Sequence, residues 1–281
     1  MNYALKAYLI HDIGLRTNQE DAFFPPMIKA CHYDGVERED AFFDGVPHTD
    51  DTMFILCDGM GGHARGDVAS RTVCDVMSRS VIDAESRKGA FDDDMIRDAV
   101  KECFDALDAL DSPDDERKMG TTMTFLKLHR EGAAIAHIGD SRVYHCRPPH
   151  GRECAEILFR TEDHSLVNSL LKKGVLTLQQ AERFPQRHVL VKAIQAGRTE
   201  RFEPDIHQTT DIRSGDVFFL CSDGMLEGLY DEDLCAILTN PDYSDERRVQ
   251  ILLNFSKGNQ DNHTAWIVRV EAVTDEDGQL R

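Results

Sequence analysis

The sequence is short of positive charge. Its 32 lysines and arginines face 51 aspartates and glutamates, a formal net charge of −19 over 281 residues. A chain so balanced repels nucleic acid and anionic membrane, so no partner of either kind is expected, and if it handles phosphate it must do so with local cations, arginine or metal. Apolar runs of membrane-spanning length are also missing, and the first residues, Met1-Asn2-Tyr3-Ala4-Leu5-Lys6, lack a signal-peptide core and cleavage site. A soluble cytoplasmic protein is the expectation. None of the 8 cysteines forms a Cys-x-x-Cys pair, which removes the common zinc and redox motifs. Cys57, Cys74, Cys103, Cys221 and Cys235 stand inside apolar runs, as reduced core residues do. There is no tandem repeat and no linker that would cut the chain, so residues 1–271 read as one domain and 272–281 as a frayed acidic tail.

A hydrophobic content of 41% suffices for a sizeable core. Residues 3–11 and 52–57 read as strands, and helical periodicity runs over 68–81 and 92–110, the second with Asp92 as N-cap. Three strand-like segments follow, 121–129, 133–138 and 142–146. With Gly139-Asp140-Ser141 as a turn they predict a β-meander. A short helix opens at Asp163-His164-Ser165, and 165–205 reads as a helical flap. Residues 217–220 and 265–270 read as buried strands, with helices over 231–238 and 245–255 between them. The polar stretch 25–51, broken by Pro25, Pro26, Gly35, Gly45 and Pro47, reads as a long loop or insertion.

The stretch Phe54-Ile55-Leu56-Cys57-Asp58-Gly59-Met60-Gly61-Gly62-His63 organises the rest. An apolar strand delivers a carboxylate to a turn with three glycines in four residues, where backbone carbonyls come within reach of a small ligand. Carboxylate plus carbonyl oxygen is the donor set of a hard cation. An isolated Asp-Gly is more often a plain strand end, but the pattern returns at Cys221-Ser222-Asp223-Gly224, and Asp261 stands before the last strand. Such acids, if gathered in a folded core, must be neutralised or repel one another. Distance along the sequence does not show that they meet.

Seven motifs in order, Arg16-Thr17-Asn18-Gln19-Glu20-Asp21-Ala22, Asp58-Gly59-Met60-Gly61-Gly62-His63, Gly120-Thr121-Thr122, Gly139-Asp140-Ser141-Arg142, Asp163-His164-Ser165, Ser222-Asp223-Gly224 and Asp261-Asn262-x-Thr264, make the chain resemble the protein phosphatase 2C-like, metal-dependent serine/threonine phosphatases of bacterial type. The resemblance implies an α+β fold, a four-layer α-β-β-α sandwich of two antiparallel sheets flanked by helix pairs, with metals at one end. It implies hydrolysis of phosphoserine and phosphothreonine in proteins by a hydroxide bridging two divalent metals, Mn2+ or Mg2+. The substrates would be those of a serine/threonine kinase, and the protein a monomer. Asp58 would bridge the two ions, the Gly59 carbonyl would bind one, and Asp223 and Asp261 would complete the other. Asp140, with Asp223, would hold a third and weaker ion. Glu20, Asp21 and Asn262 would act through water, and Arg16 would clamp the phosphate with its planar fork.

The sequence departs from the family in one respect: some eukaryotic members carry a histidine two residues after the bridging acid, and Met60 stands there. His63 reads as a loop histidine, and His164 as part of a helix-capping neighbourhood. A rival signature, His145-Cys146-x5-Arg152, matches the cysteine-dependent tyrosine phosphatases. Pro148 and Pro149 argue against it, because each removes a backbone N–H from a loop that must wrap phosphate. A phosphoprotein-binding pseudophosphatase is the alternative of another class, but the intact acid set has no use there. Finally, Glu20-Asp21-Ala22-Phe23-Phe24 recurs as Glu39-Asp40-Ala41-Phe42-Phe43. The first copy, with Arg16 four residues ahead of Glu20, is expected beside the metals, and the second to pack the insertion down as a short strand or hairpin.

Overall fold

Alternation along the central strands decides where the layers meet. In the computed structural model, which describes residues 1–25, 41–49, 52–60, 65–112, 118–150 and 154–275, strand β4 (Met53–Met60) is buried on both faces. Phe54 and Leu56 point into one apolar cluster, whereas Met53, Ile55 and Cys57 point into another. Strand β6 (Met123–His129) does the same with Leu126 and Leu128 against Met123 and Phe125. A sheet whose strands are apolar on both sides must be covered on both sides.

The order along the chain is β1 (Asn2–Asp12), β2 (Asp21–Phe24), β3 (Ala41–Thr49), β4, α1 (Gly66–Lys88), α2 (Asp93–Leu110), β5 (Gly120–Thr121), β6, β7 (Gly132–Ile138), β8 (Arg142–Arg147), β9 (Glu156–Arg160), α3 (Leu166–Lys172), α4 (Leu178–Glu182), β10 (Ile194–Gln195), β11 (Asp205–Thr209), β12 (Val217–Cys221), a 3-10 turn (Asp223–Leu226), α5 (Asp231–Thr239), α6 (Asp245–Ser256) and β13 (His263–Thr274). One antiparallel sheet runs β3-β1-β13-β12-β8-β9; the other runs β10-β5-β4-β6-β7-β11, with β2 also paired to β4. Between the sheets lie Phe54, Leu126, Phe218, Leu220, Trp266 and Val268. The rings of Phe54 and Trp266 meet edge to face at 5.3 Å. Outside, α1 and α2 cover one sheet through Val73, Met77, Ile96, Cys103 and Leu107, and α5 and α6 cover the other through Leu234, Leu238, Val249 and Leu252. The α+β, four-layer α-β-β-α sandwich expected from the sequence is the fold.

Three expectations are corrected. The predicted meander stops at β7: β6 pairs with β7, but β8 pairs with β12 and β9 in the opposite sheet. The Gly139-Asp140-Ser141 turn is therefore a crossing between sheets, and Gly139 takes φ 115°, which only glycine adopts easily. Of the stretch 25–51 read as a loop or insertion, residues 41–49 form an edge strand paired antiparallel to β1, which includes the short strand expected at Phe42-Phe43; residues 26–40, 50 and 51 lie outside the described residues. The tail does not fray at Glu271, since Asn2 pairs with Thr274 across β1 and β13.

The registers bring the chemistry to one end of the sandwich. Asp21 lies opposite Asp58, Asp12 opposite His263, and Cys221 opposite both Ala265 and Arg142. The turns that follow or precede these pairs carry Arg16, Asp140, Asp223 and Asp261.

Candidate active site

Asp58 is held by backbone on both sides. Its N–H donates to Thr122 Oγ1 at 3.0 Å, and its carbonyl accepts from Thr122 N at 2.9 Å and Thr121 Oγ1 at 2.8 Å. Thr122 Oγ1 also meets Ser141 Oγ at 2.7 Å, so one threonine ties the Asp58 turn to the Asp140 turn. Gly59 donates its N–H to the Glu20 carbonyl at 3.1 Å. A Cβ there would stand 2.3 Å from the Gly66 carbonyl and 2.6 Å from that of Glu20, so no side chain fits. Ser70 Oγ donates to the same Glu20 carbonyl at 2.5 Å.

The Arg16 loop is fastened by Asn262. Its Oδ1 accepts the Glu20 N–H at 2.8 Å, and its Nδ2 donates to the carbonyls of Ile13 at 2.8 Å and Asn18 at 3.0 Å. Gly14 takes φ 61° under Asp261, whose carbonyl would lie 2.2 Å from a Cβ. Arg16 Nη2 then reaches the Asp261 carboxylate at 2.6 Å, with half of the arginine side chain still exposed. That bond raises the guanidinium pKa. Asp223 opens the 3-10 turn after β12, and the flap places His188 Nδ1 3.7 Å from its Oδ2.

The carboxylates gathered here disturb one another. Burial first, then the charges of Asp21, Asp223, Asp140 and Asp261, push the Asp58 pKa far up. Burial and the neighbouring Asp223 and Asp163 push Asp140 to about 8. Burial pushes Asp21 to about 7, against the hydrogen bond it accepts from Ser222 Oγ at 2.8 Å. Its other oxygen, Oδ1, is buried with no hydrogen-bond partner among the described residues. An orphaned buried carboxylate oxygen, a glycine turn with no room for a side chain and an all-oxygen donor set together suit a hard divalent cation.

The site residues named from the sequence therefore converge: Asp58, Gly59, Asp140, Asp223, Asp261, Glu20, Asp21, Asn262 and Arg16 occupy one end of the sandwich. Gly61, Gly62 and His63 of the glycine turn lie outside the described residues, as do Glu39 and Asp40 of the second acid pair. The Asp163-His164-Ser165 neighbourhood caps α3 as expected, through Ser165, whose Oγ accepts from Asn168 N at 3.2 Å. In the sequence the hydroxyls of Thr121, Thr122 and Ser222 stand out only as parts of motifs, and His188, a histidine in a polar flap, carries no local signal. The cysteine signature fails on geometry. Cys146 is buried in β8, and the Cys235 thiol and burial push its pKa well up, the reverse of a reactive thiolate.

A protein phosphatase 2C family model matches residues 29–253. The chain is 32% identical over 238 residues to protein phosphatase PhpP of Streptococcus pneumoniae serotype 2 (strain D39 / NCTC 7466), covering 81% of this chain and 88% of that one. It is 30% identical over 219 residues to serine/threonine phosphatase stp of Listeria monocytogenes serovar 1/2a, covering 77% and 83%. Among solved structures it superposes on the Mycobacterium tuberculosis serine/threonine phosphatase PstP/Ppp with a TM-score of 0.72 and 26% identity, over 95% of this chain and 99% of the other.

Proposed function

The chain belongs to the protein phosphatase 2C family, and on that premise we propose that it hydrolyses phosphoserine and phosphothreonine in proteins with two divalent cations, Mn2+ or Mg2+, held by Asp58, Gly59, Asp223 and Asp261. When bound, such cations neutralise the carboxylates and lower the pKa of water toward neutrality, making it a nucleophile for phosphorus. Asp140 is the ligand of a third, weaker site. Asp21 and Glu20 orient water at the first two, and Asn262 holds the loop that presents Arg16. Arg16, paired with Asp261 and half exposed, would bind two phosphate oxygens through its planar fork. Phosphorylated proteins made by a serine/threonine kinase are the substrates.

The observation that carries this reading is the convergence of five aspartates, three with raised pKa, where among the described residues Arg16 is the one arginine or lysine paired to any of them. A binding module without turnover gains nothing from a cluster that opposes its own folding. Hydrolysis of a phosphothreonine peptide after stripping with chelator tests it: activity should be absent and return with manganese, and Cys146→Ser should turn over like the wild type. Activity in the stripped protein that dies with Cys146→Ser would replace this mechanism with a cysteine one.

A further inference from the structure

Away from the acid cluster, the helix-facing side of the first sheet changes character. Ile10 and Tyr8 on β1, with Ala265 and Ile267 on β13, pack in the apolar layer under α5 and α6. The next position on that face of each strand is a cation, and the two stand opposite each other, Lys6 against Arg269. This pair lies six residues along β1 from the Asp12–His263 pair at the site's end of the sandwich, a separation of about 20 Å at the rise of an extended strand.

The helices leave these cations uncovered. Helix α5 ends at Thr239 and α6 starts at Asp245, and the step between them leaves a cavity of about 470 Å³ whose floor is Lys6, Tyr8 and Arg269. The first turn of α6, with Arg248, forms one wall, so the positive end of that helix borders the cavity. The other walls are apolar, from Leu238, Pro148, Pro241 and the ring of Tyr243.

Donors outnumber acceptors here. The Asp245 carboxylate is shared by Arg248 Nη1 at 2.8 Å, Arg269 Nη2 at 2.6 Å and the Tyr8 hydroxyl at 3.4 Å. Glu271 Oε1 takes Arg269 Nη2 at 3.1 Å and Lys6 Nζ at 2.7 Å, and Arg248 Nη2 donates to the Asn240 carbonyl at 2.7 Å. The Nε of Arg248 and that of Arg269 are buried with no hydrogen-bond partner among the described residues, and no bond among those residues uses Arg269 Nη1. Arg248 is only 8% exposed, and burial, ahead of the opposing pull of Asp245, lowers its pKa. Buried guanidinium donors without acceptors call for an acceptor from outside. Three cations share two carboxylates, which leaves one positive charge to balance and favours a monoanion over a phosphate dianion. Glu246, the other acid of the lining, is exposed on α6.

We propose that this cavity is a ligand site separate from the acid cluster, and that it takes a small aromatic carboxylate, with the carboxylate against Lys6 and Arg269 and the ring against Tyr243, Pro148 and Pro241. A concave, mainly apolar lining with a few convergent charged groups is the usual form of a small-molecule site, and the volume is within the usual range. The planar fork of Arg269 suits a carboxylate, and the prolines and Tyr243 offer flat faces to a ring.

Equilibrium dialysis of naphthoate against the full chain tests the proposal, with naphthamide as its uncharged match. Naphthoate should bind saturably, one per chain, and naphthamide at least about tenfold more weakly. Lys6→Met and Arg269→Met should each weaken naphthoate by about tenfold. If Arg269→Met does not fold, because it strips Asp245 and Glu271 of a partner, Lys6→Met alone carries the expectation. The affinity should be the same in metal-stripped and manganese-saturated protein, and unchanged in Arg16→Met. Absence of saturable binding overturns the proposal, as does naphthamide binding as tightly as naphthoate or undiminished affinity in Lys6→Met. Binding that needs manganese, or that is lost in Arg16→Met, would put the probe in the acid cluster and overturn it equally.

Discussion

At the scale of single residues, the acid pair repeated in the sequence is the sharpest case. Asp21 faces Asp58 directly across β2 and β4, and its buried Oδ1 lacks a hydrogen-bond partner among the described residues. The register places the first copy beside Asp58, whereas Glu39 and Asp40 of the second lie outside the described residues. Asp21→Ala should cost turnover about a hundredfold, and Asp40→Ala should stay within a few-fold of the wild type; the reverse order, in paired assays on one phosphopeptide, would assign the site to the second copy. The raised carboxylates also make a statement about pH. Asp21 and Asp140 hold protons in the fold up to about 7 and about 8, whereas in the unfolded chain both ionise near 4. The folded state then binds more protons through that window, so metal-free stability is fullest below it and falls as pH rises, by about 1.4 kcal/mol per pH unit for each proton retained. Melting of the stripped protein should drop between pH 5 and 8, and manganese should flatten the slope. A stripped protein whose melting rises over that range would contradict the burial argument.

At the scale of elements, legibility followed period. Helices α1 and α2 stood in the sequence because Val73, Met77 and Val81, then Ile96, Val100 and Leu107, repeat at helical spacing, and they pack as that spacing requires. The Asp92 cap was equally local: its side chain accepts the Met95 N–H at 3.1 Å. Asp92→Ala should lower stability by about 1 kcal/mol with turnover unchanged, measured by denaturant unfolding beside a peptide assay; a loss of turnover would mean that α2 is coupled to the site. What was hidden was pairing. A turn such as Gly139-Asp140-Ser141 looks the same whether it closes a hairpin or crosses between sheets, because the partner strand, β12, lies about seventy residues on. Residues 41–49 form an edge strand despite Gly45 and Pro47, since an edge tolerates a missing donor and takes its order from β1. The two-residue strands β5 and β10 are too short to leave any period at all.

At the scale of the molecule, a chain of net charge −19 places five of its aspartates at one end of a sandwich. The sequence alone named Asp58, Asp223 and Asp261 as strand-end acids but could not say that they meet; antiparallel registers spanning most of the chain bring them together. The His188 contact and the hydroxyl network of Thr122 and Ser141 arise only from that assembly. The central claim is that this end of the sandwich is a divalent-cation cage on which hydrolysis depends. Titration of the stripped protein with manganese, reading bound metal and phosphothreonine-peptide turnover in the same samples, addresses it directly. Turnover should rise as two ions per chain are taken up, and Asp58→Asn should bind them weakly and lose at least about a hundredfold in turnover while melting as a folded protein. Full turnover before any metal binds, or an Asp58→Asn variant that hydrolyses like the wild type, would contradict the account.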